Sequence, residues 1–216
     1  RMTSGPNVTS ATWGAWVWNL WIGIWMNGGQ IYDKDFTKSL IDQPRGVDGV
    51  QFYYDQSFGK LQIAPQKGTY TELFGNSQLA ITHVGPFGVP VLRKYSGAEW
   101  DFVTMPYYAE KQRGTWLSGE GYAIASATKN KDGAWAVLKY LCGKEAMANF
   151  YAPEFQAIPA VQSVAEPAFV NAIPGKNAKA FLDSISFATA YGGNPVVTKW
   201  GDPLNQMWDA VQKGQK

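Results

Sequence analysis

Residues 119–141 read GEGYAIASATKNKDGAWAVLKYL, and the fold class turns on how this stretch is parsed. Gly121–Ser126 (GYAIAS) is a short apolar run of strand length. Asn130 and Asp132 then open a helix, since both residue types suit the free N–H groups of a first turn. Ala134, Val137, Leu138 and Leu141 recur on one face of that helix. Gly143 breaks it, and Glu145 to Tyr151 starts a further helix. A strand that passes through a polar turn into an amphipathic helix is the unit of α/β and α+β domains.

Moving upstream, Leu79–Thr82 (LAIT) is a strand apolar enough to be central, with Gly85-Pro86-Phe87-Gly88 at its end. Residues 100–105 (WDFVTM) alternate and are halted by Pro106, which predicts another strand. Between these strands and the opening stretch lies a polar loop, 107–121, around Trp116. A short helix is expected around Thr71 to Phe74. A longer one begins at Asp42 as N-cap with Pro44 in its first turn, where a missing N–H costs nothing. Val47, Val50, Tyr54 and Phe58 give its stripe.

The most apolar run is 13–26 (WGAWVWNLWIGIWM). Trp13, Trp16, Val17, Leu20, Trp21 and Ile24 fall at helical spacing, and Trp18, Ile22 and Trp25 form a second face. The spacing predicts a helix over 12–26, sandwiched or lining a cavity with one side. Gly28-Gly29 stops it, and Gln30 to Tyr32 reads as extended. The run has 14 residues, short of the roughly 20 that span a bilayer. Downstream, Pro153, Pro159, Pro167 and Pro174 mark an irregular region. Asn177–Tyr191 reads as a helix bearing Ala178, Phe181, Leu182 and Ile185, ended by Gly192-Gly193. A last helix is capped by Asp202 with Pro203 first, carries Leu204, Met207, Trp208 and Val211, and closes at Gly214.

Composition narrows the function. Lys plus Arg is 19 and Asp plus Glu 17 in 216 residues, a balance that gives no basic face for nucleic acid. One His and one Cys cannot supply the three or four N or S ligands of a zinc site. Cys142 has no partner within the chain for a disulfide or a thiol relay. His83 follows a strand but no nucleophile-elbow serine precedes it, so a structural histidine is expected. Gly114, Gly119 and Gly121 lack the Lys-Ser/Thr pair of a phosphate loop. Glu110 and Glu120 offer the two carboxylates of a glycosidase, a pair almost any chain contains.

The aromatic content is the stronger lead: 10 Trp, 11 Tyr and 11 Phe. Flat rings with a polar edge suit the C–H faces of sugars, and pockets for neutral polyols combine them with a few polar groups. Trp135 and Trp208 sit among apolar neighbours on helices and read as core, as does Trp100 on its strand. Trp116 and Trp200 stand beside glycines in polar loops and read as ligand contacts. Five tryptophans on the first helix exceed the core of a small domain, so Trp13 and Trp16 are candidates for a cavity wall.

The order of motifs resembles one family. WNLWIGIWMNGGQIYDKDFTKSLIDQPRGVDGVQFYYD, LFGNSQLAITHVGPFGV, WDFVTMP and GEGYAIASATKNKDGAWAVLKYL resemble, in sequence, segments of the extracellular solute-binding proteins of ABC sugar importers (family 1, maltose-binding-protein-like). The last is similar to the pattern G-x-x-x-x-I-x-x-x-S-K-N-K-x-x-A-W-x-F-x-x-x-L, with Thr128 where Ser is usual. Phe87 stands where Trp is common.

The resemblance implies an α/β, periplasmic-binding-protein-like type II fold. Family chains are about double this length, so it also implies a C-terminal half, with Arg1 a natural or engineered boundary. On that reading residues 1–121 belong to the second lobe, 122–165 cross over to pack on the first, and 166–216 return. The helices over 130–151 would expose Ala134, Leu138 and Leu141 for a covering partner: the missing N-terminal half, a second copy or a domain swap. The implied function is capture of a sugar or oligosaccharide by hinge closure, without a reaction and without a cofactor or metal. Trp13, Trp16, Phe87, Trp116 and Trp200 would stack on the ligand, and Glu120 would accept its hydroxyls. The implied partner is a membrane permease, and the implied location is periplasmic or extracellular, with or without a lipid anchor. A secreted glycan-active enzyme or carbohydrate-binding module, and an aromatic-rich structural module, are the alternatives.

Overall fold

A computed structural model describes residues 13–17, 19–66, 68–96, 99–108, 113–190 and 197–215, with only the backbone of 197–201. In chain order the elements are β1 (Trp13–Trp16), α1 (Leu20–Met26), α2 (Pro44–Ser57), α3 (Tyr70–Gly75), β2 (Leu79–Thr82), α4 (Val89–Leu92), β3 (Thr115–Leu117), α5 (Lys131–Leu141), α6 (Lys144–Ala146), α7 (Gln162–Val164), α8 (Lys179–Ser184), β4 (Ala188–Ala190) and α9 (Val197–Gln212). Short 3-10 and π turns extend several of the helices. The strands form two parallel pairs, β1 with β2 and β3 with β4. In the first, Trp13 faces Leu79 and Trp16 faces Thr82. In the second, Trp116 faces Thr189. No helix among the described residues is long and apolar enough to cross a membrane.

The expected helix over 12–26 is instead a strand followed by a helix. Asn19 divides them. Its buried side chain accepts from the N–H of Trp21 at 3.0 Å and caps α1. Ahead of that cap, Gly14 and Ala15 donate to the carbonyl of Ile63 while β1 pairs with β2. Helical spacing of tryptophans in a run apolar at nearly every position fits several structures, and the polar cap decides among them. All seven residues of α1 are buried. Gly28, in the left-handed region, ends it as expected.

α1 lies on α2 at backbone contact. A Cβ on Gly49 would stand 2.5 Å from Cα of Ile24, and one on Gly23 would stand 2.7 Å from the Gly49 carbonyl oxygen. The buried face of α2 is therefore Gly46, Gly49, Tyr53 and Gln56, and Val47 of the expected stripe is exposed. Gln43, not Asp42, precedes the first turn. α9 closes this core. Trp208 lies 5.9 Å from Trp21 and 5.7 Å from Tyr53, ring to ring, as its core assignment required. Its helix begins at Val197 and carries Pro203 inside, so Asp202 is not a cap.

A second core joins Val89, Phe102, Ala152, Phe155, Phe169, Ala178 and Ala180, with Phe181 and Trp100 against it. Phe155 stacks on Phe169 at 4.0 Å. Trp100 is core as expected, although 100–105 form no strand. Asp101 holds the segment instead, accepting from the N–H of Asn177 at 2.6 Å. Gly121–Ser126 is likewise unpaired and largely exposed. Both runs have strand composition without a neighbouring ladder among the described residues, and pairing is what makes a strand. Residues 188–190, expected as helix, form β4 because β3 offers such a ladder. Ile81 on β2 is 58% exposed and β2 pairs only with β1 among the described residues, so it is not a central strand here.

α5 starts where expected, with Asn130 accepting from the N–H of Gly133 at 2.9 Å. None of its residues is buried. Ala134, Leu138 and Leu141 are half-buried, while Trp135, Val137 and Tyr140 stand more than half exposed. Trp135 is therefore not core.

Candidate functional site

The parallel pair β1–β2 ends with Trp16 beside Thr82. The N–H of His83 donates to the Trp16 carbonyl at 3.2 Å, which locks the two strand ends together. In open α/β sheets ligands collect beyond the carboxyl ends of parallel strands. Here that edge is built from Trp16, Val17 and Asn19 on one side and His83 to Gly88 on the other. Buried Gln56 fixes the first side. Its Oε1 accepts from Val17 N–H at 2.9 Å, and its Nε2 donates to the Val17 carbonyl at 3.1 Å. A side-chain amide thus satisfies both main-chain groups where the strand gives out.

On the second side a 3-10 turn over Pro86–Gly88 runs into α4. Val89 and Leu92 are fully buried and anchor the turn, while Phe87 remains 52% exposed. His83 is half-buried, and desolvation pushes its imidazole down to about 4. It is neutral at pH 7, with a donor and an acceptor, and adds no charge to the edge.

The nominated residues separate. Trp16 and Phe87 belong to the same strand-end edge. Trp16 is half-buried, and the hydroxyl of Tyr53 hydrogen-bonds with the Gln212 and Trp16 side chains. Trp13 lies at the far end of β1, opposite Leu79. An odd spacing on a strand puts Trp13 and Trp16 on opposite faces, so they do not form the shared wall a helix would have given them. Trp116 sits on β3 rather than in a polar loop, and packs against the first core. Glu120 is exposed in the unpaired segment after β3. Close by, the hydroxyls of Tyr122 and Tyr151 hydrogen-bond. That bond pushes Tyr151 up to about 12, with a smaller push from the Glu120 charge. The Trp200 side chain, Trp18, Glu110 and Gly192-Gly193 lie outside the described residues.

Gln56 and Asn19 were missed as positioning residues. Asn19 had a visible signal, a lone amide in an apolar run. Gln56 had none, because its partner is 39 positions away.

Residues 2–178 match the family model of the bacterial extracellular solute-binding proteins. The chain belongs to this family. Among solved structures, the ABC substrate-binding protein Lmo0181 from Listeria monocytogenes, in complex with cycloalternan, superposes with a TM-score of 0.78 at 19% identity, over 95% of this chain and 54% of that one. The maltose/maltodextrin-binding domain MalE from Bdellovibrio bacteriovorus, bound to maltotriose, gives 0.77 at 18%, over 94% and 55%. A solute-binding protein from Thermotoga lettingae, bound with alpha-D-tagatose, gives 0.76 at 18%, over 93% and 54%. A comparison with curated protein sequences gives no match. The chain spans about half the length of these structures. The solute-binding protein fold implied by the motif order is thus the observed one, as a part of the whole.

Proposed function

We propose that this solute-binding protein captures a sugar or oligosaccharide at the β1–β2 carboxyl edge and delivers it to a membrane permease without chemical change. The observation that carries the reading is Phe87, exposed on a turn anchored by Val89 and Leu92 that follows the strand end where Thr82 pairs with Trp16, with the neutral imidazole of His83 between. An aromatic platform with uncharged polar neighbours suits a neutral polyol. The similar structures hold cycloalternan, maltotriose and tagatose. Glu120 and Trp200 are proposed as further contacts, with Glu120 the accessible acceptor; Trp13 and Trp116, placed away from this edge, are not.

The proposed organisation is two-lobed. Residues 1–121 and 166–216 share one body, supported by the β3–β4 pair and by Trp208 against Trp21. The segment 122–165 crosses toward the other lobe, and its exposed part, with Trp135, Val137 and Tyr140, supplies the face that lobe would cover. Ala152 and Phe155 of the same segment stay with Val89 and Phe102. The proposed location is the periplasm or cell exterior, with a lipid anchor in organisms that lack a periplasm.

A tryptophan-fluorescence titration with glucose, maltose, maltotriose and cyclic glucans tests this. The expected result is a saturable change for at least one sugar, weakened severalfold in Phe87→Ala. No response to the panel, or a Phe87→Ala protein that responds like the original, overturns it.

A further inference from the structure

Residues 31–40 form a tight hairpin after α1. Ile31 accepts from Leu40 N–H at 2.9 Å, and Asp33 N–H donates to Lys38 at 3.0 Å. At its tip the Asp33 carboxylate accepts from the N–H and hydroxyl of Thr37, both at 2.7 Å, and from Lys38 N–H at 3.2 Å. The Thr37 hydroxyl chiefly holds that carboxyl below its ordinary range. This rigid tip places Phe36 at φ 55. A bulky residue in the left-handed region is strained, and such strain collects where a side chain must be aimed. Phe36 is aimed back at Tyr32, with ring centroids 5.8 Å apart.

Together these rings line a half-open cavity of about 320 Å³, which Trp25 and, at the end of β4, Thr189 and Ala190 also line. Gln30, Ile31, Asp33 and Lys34 complete its lining. None of the residues at the β1–β2 edge lines it. The cavity sits at the small end of the range for ligand sites, which is about 300–1,000 Å³. It combines an aromatic wall with an amide, an ammonium, a hydroxyl and the Asp33 carboxylate, and Thr189 and Ala190 bring to it the carboxyl end of a parallel strand.

We infer that this cavity is a second carbohydrate site, distinct from the β1–β2 edge, for a mono- or disaccharide. Phe36 and Tyr32 face the sugar ring, and Gln30 and Thr189 meet its hydroxyls. It takes the same ligand class as the proposed function but does not depend on that edge.

Titration of the isotope-labelled chain with methyl α-glucoside and maltose, followed by amide NMR shifts, tests it. Saturable shifts are expected at 30–36 and 189–190, and they persist in Phe87→Ala. Phe36→Gly removes the ring at a backbone position that glycine prefers, so its melting temperature holds or rises. Binding at this site then falls about fivefold, the typical weight of one aromatic contact. Gln30→Ala, an exposed change, weakens the same shifts and leaves the melting temperature unaltered. Shifts confined to residues 16–19 and 83–88, no shifts with either sugar, or unchanged shifts in Phe36→Gly overturn the inference. Shifts at 30–36 without any near Phe87 would sustain it while removing the proposed function of the edge.

Discussion

Replacing Gly49 by alanine tests the α1–α2 contact on which the strand-end edge depends. The added methyl would lie 2.5 Å from Ile24 Cα and 2.6 Å from Ile24 N, where ordinary contact begins at 3.4 Å. Both obstacles are backbone atoms of a fully buried helix, so no side chain can turn away. Overpacking of this kind costs up to about 3 kcal/mol. Alanine returns about 1 kcal/mol of helix propensity in the middle of α2. The net loss is about 2 kcal/mol, equivalent to a fall in melting temperature of about 4–8 °C for a chain this size. Urea denaturation and calorimetry measure it. Gly121→Ala is the control, because nothing lies within 4 Å of its Cβ position, and its effect should stay within about 0.5 kcal/mol. A Gly49→Ala protein as stable as the original, or more so, would refute the backbone contact.

Two further outcomes are expected. His83 is held near 4 by burial, below the ordinary 6.5 it regains on unfolding. The unfolded chain therefore binds more protons between those values. Stability from this group is full above pH 6.5 and is lost as pH falls toward 4, by up to about 3 kcal/mol. His83→Gln should flatten the pH dependence of the denaturation midpoint in that window, and an unchanged slope would show that His83 is not its source. α5 has no buried residue, and a helix of its length is marginal alone in water. Its amides should exchange hydrogen orders of magnitude faster than those of α1. Equal protection would contradict the proposal that Trp135, Val137 and Tyr140 await a covering lobe.

Much of the fold was legible where a polar residue punctuates the chain. Asn130 marks the start of α5, Gly28 the end of α1, and the apolar stripe of α9 holds Trp208 in the core. The readings failed where composition is uniform or the partner is distant. In 13–26 nearly every position is apolar, so periodicity could not separate β1 from α1. Residues 100–105 and 121–126 have strand-like composition, but a strand requires a neighbour, and no pattern within the segment reports one. The same limit applies to the site. Phe87 was nominated through the family resemblance, as the residue standing where Trp is common, and the structure leaves it exposed on its turn. Trp16 was nominated on helical spacing and reaches the edge for a different reason, as the last residue of a strand. Gln56 binds a backbone far away in sequence, and Phe36 is distinguished by a backbone angle, and neither is visible in residue type.

The central claim is that a sugar is held at the carboxyl edge of β1 and β2. Maltotriose carrying a nitroxide spin label, added to the isotope-labelled chain, tests it most directly. The account predicts that the amides of Trp16 to Asn19 and of His83 to Gly88 broaden in the bound state and recover when unlabelled maltotriose competes. Broadening that spares both segments, or that unlabelled sugar does not reverse, would contradict it.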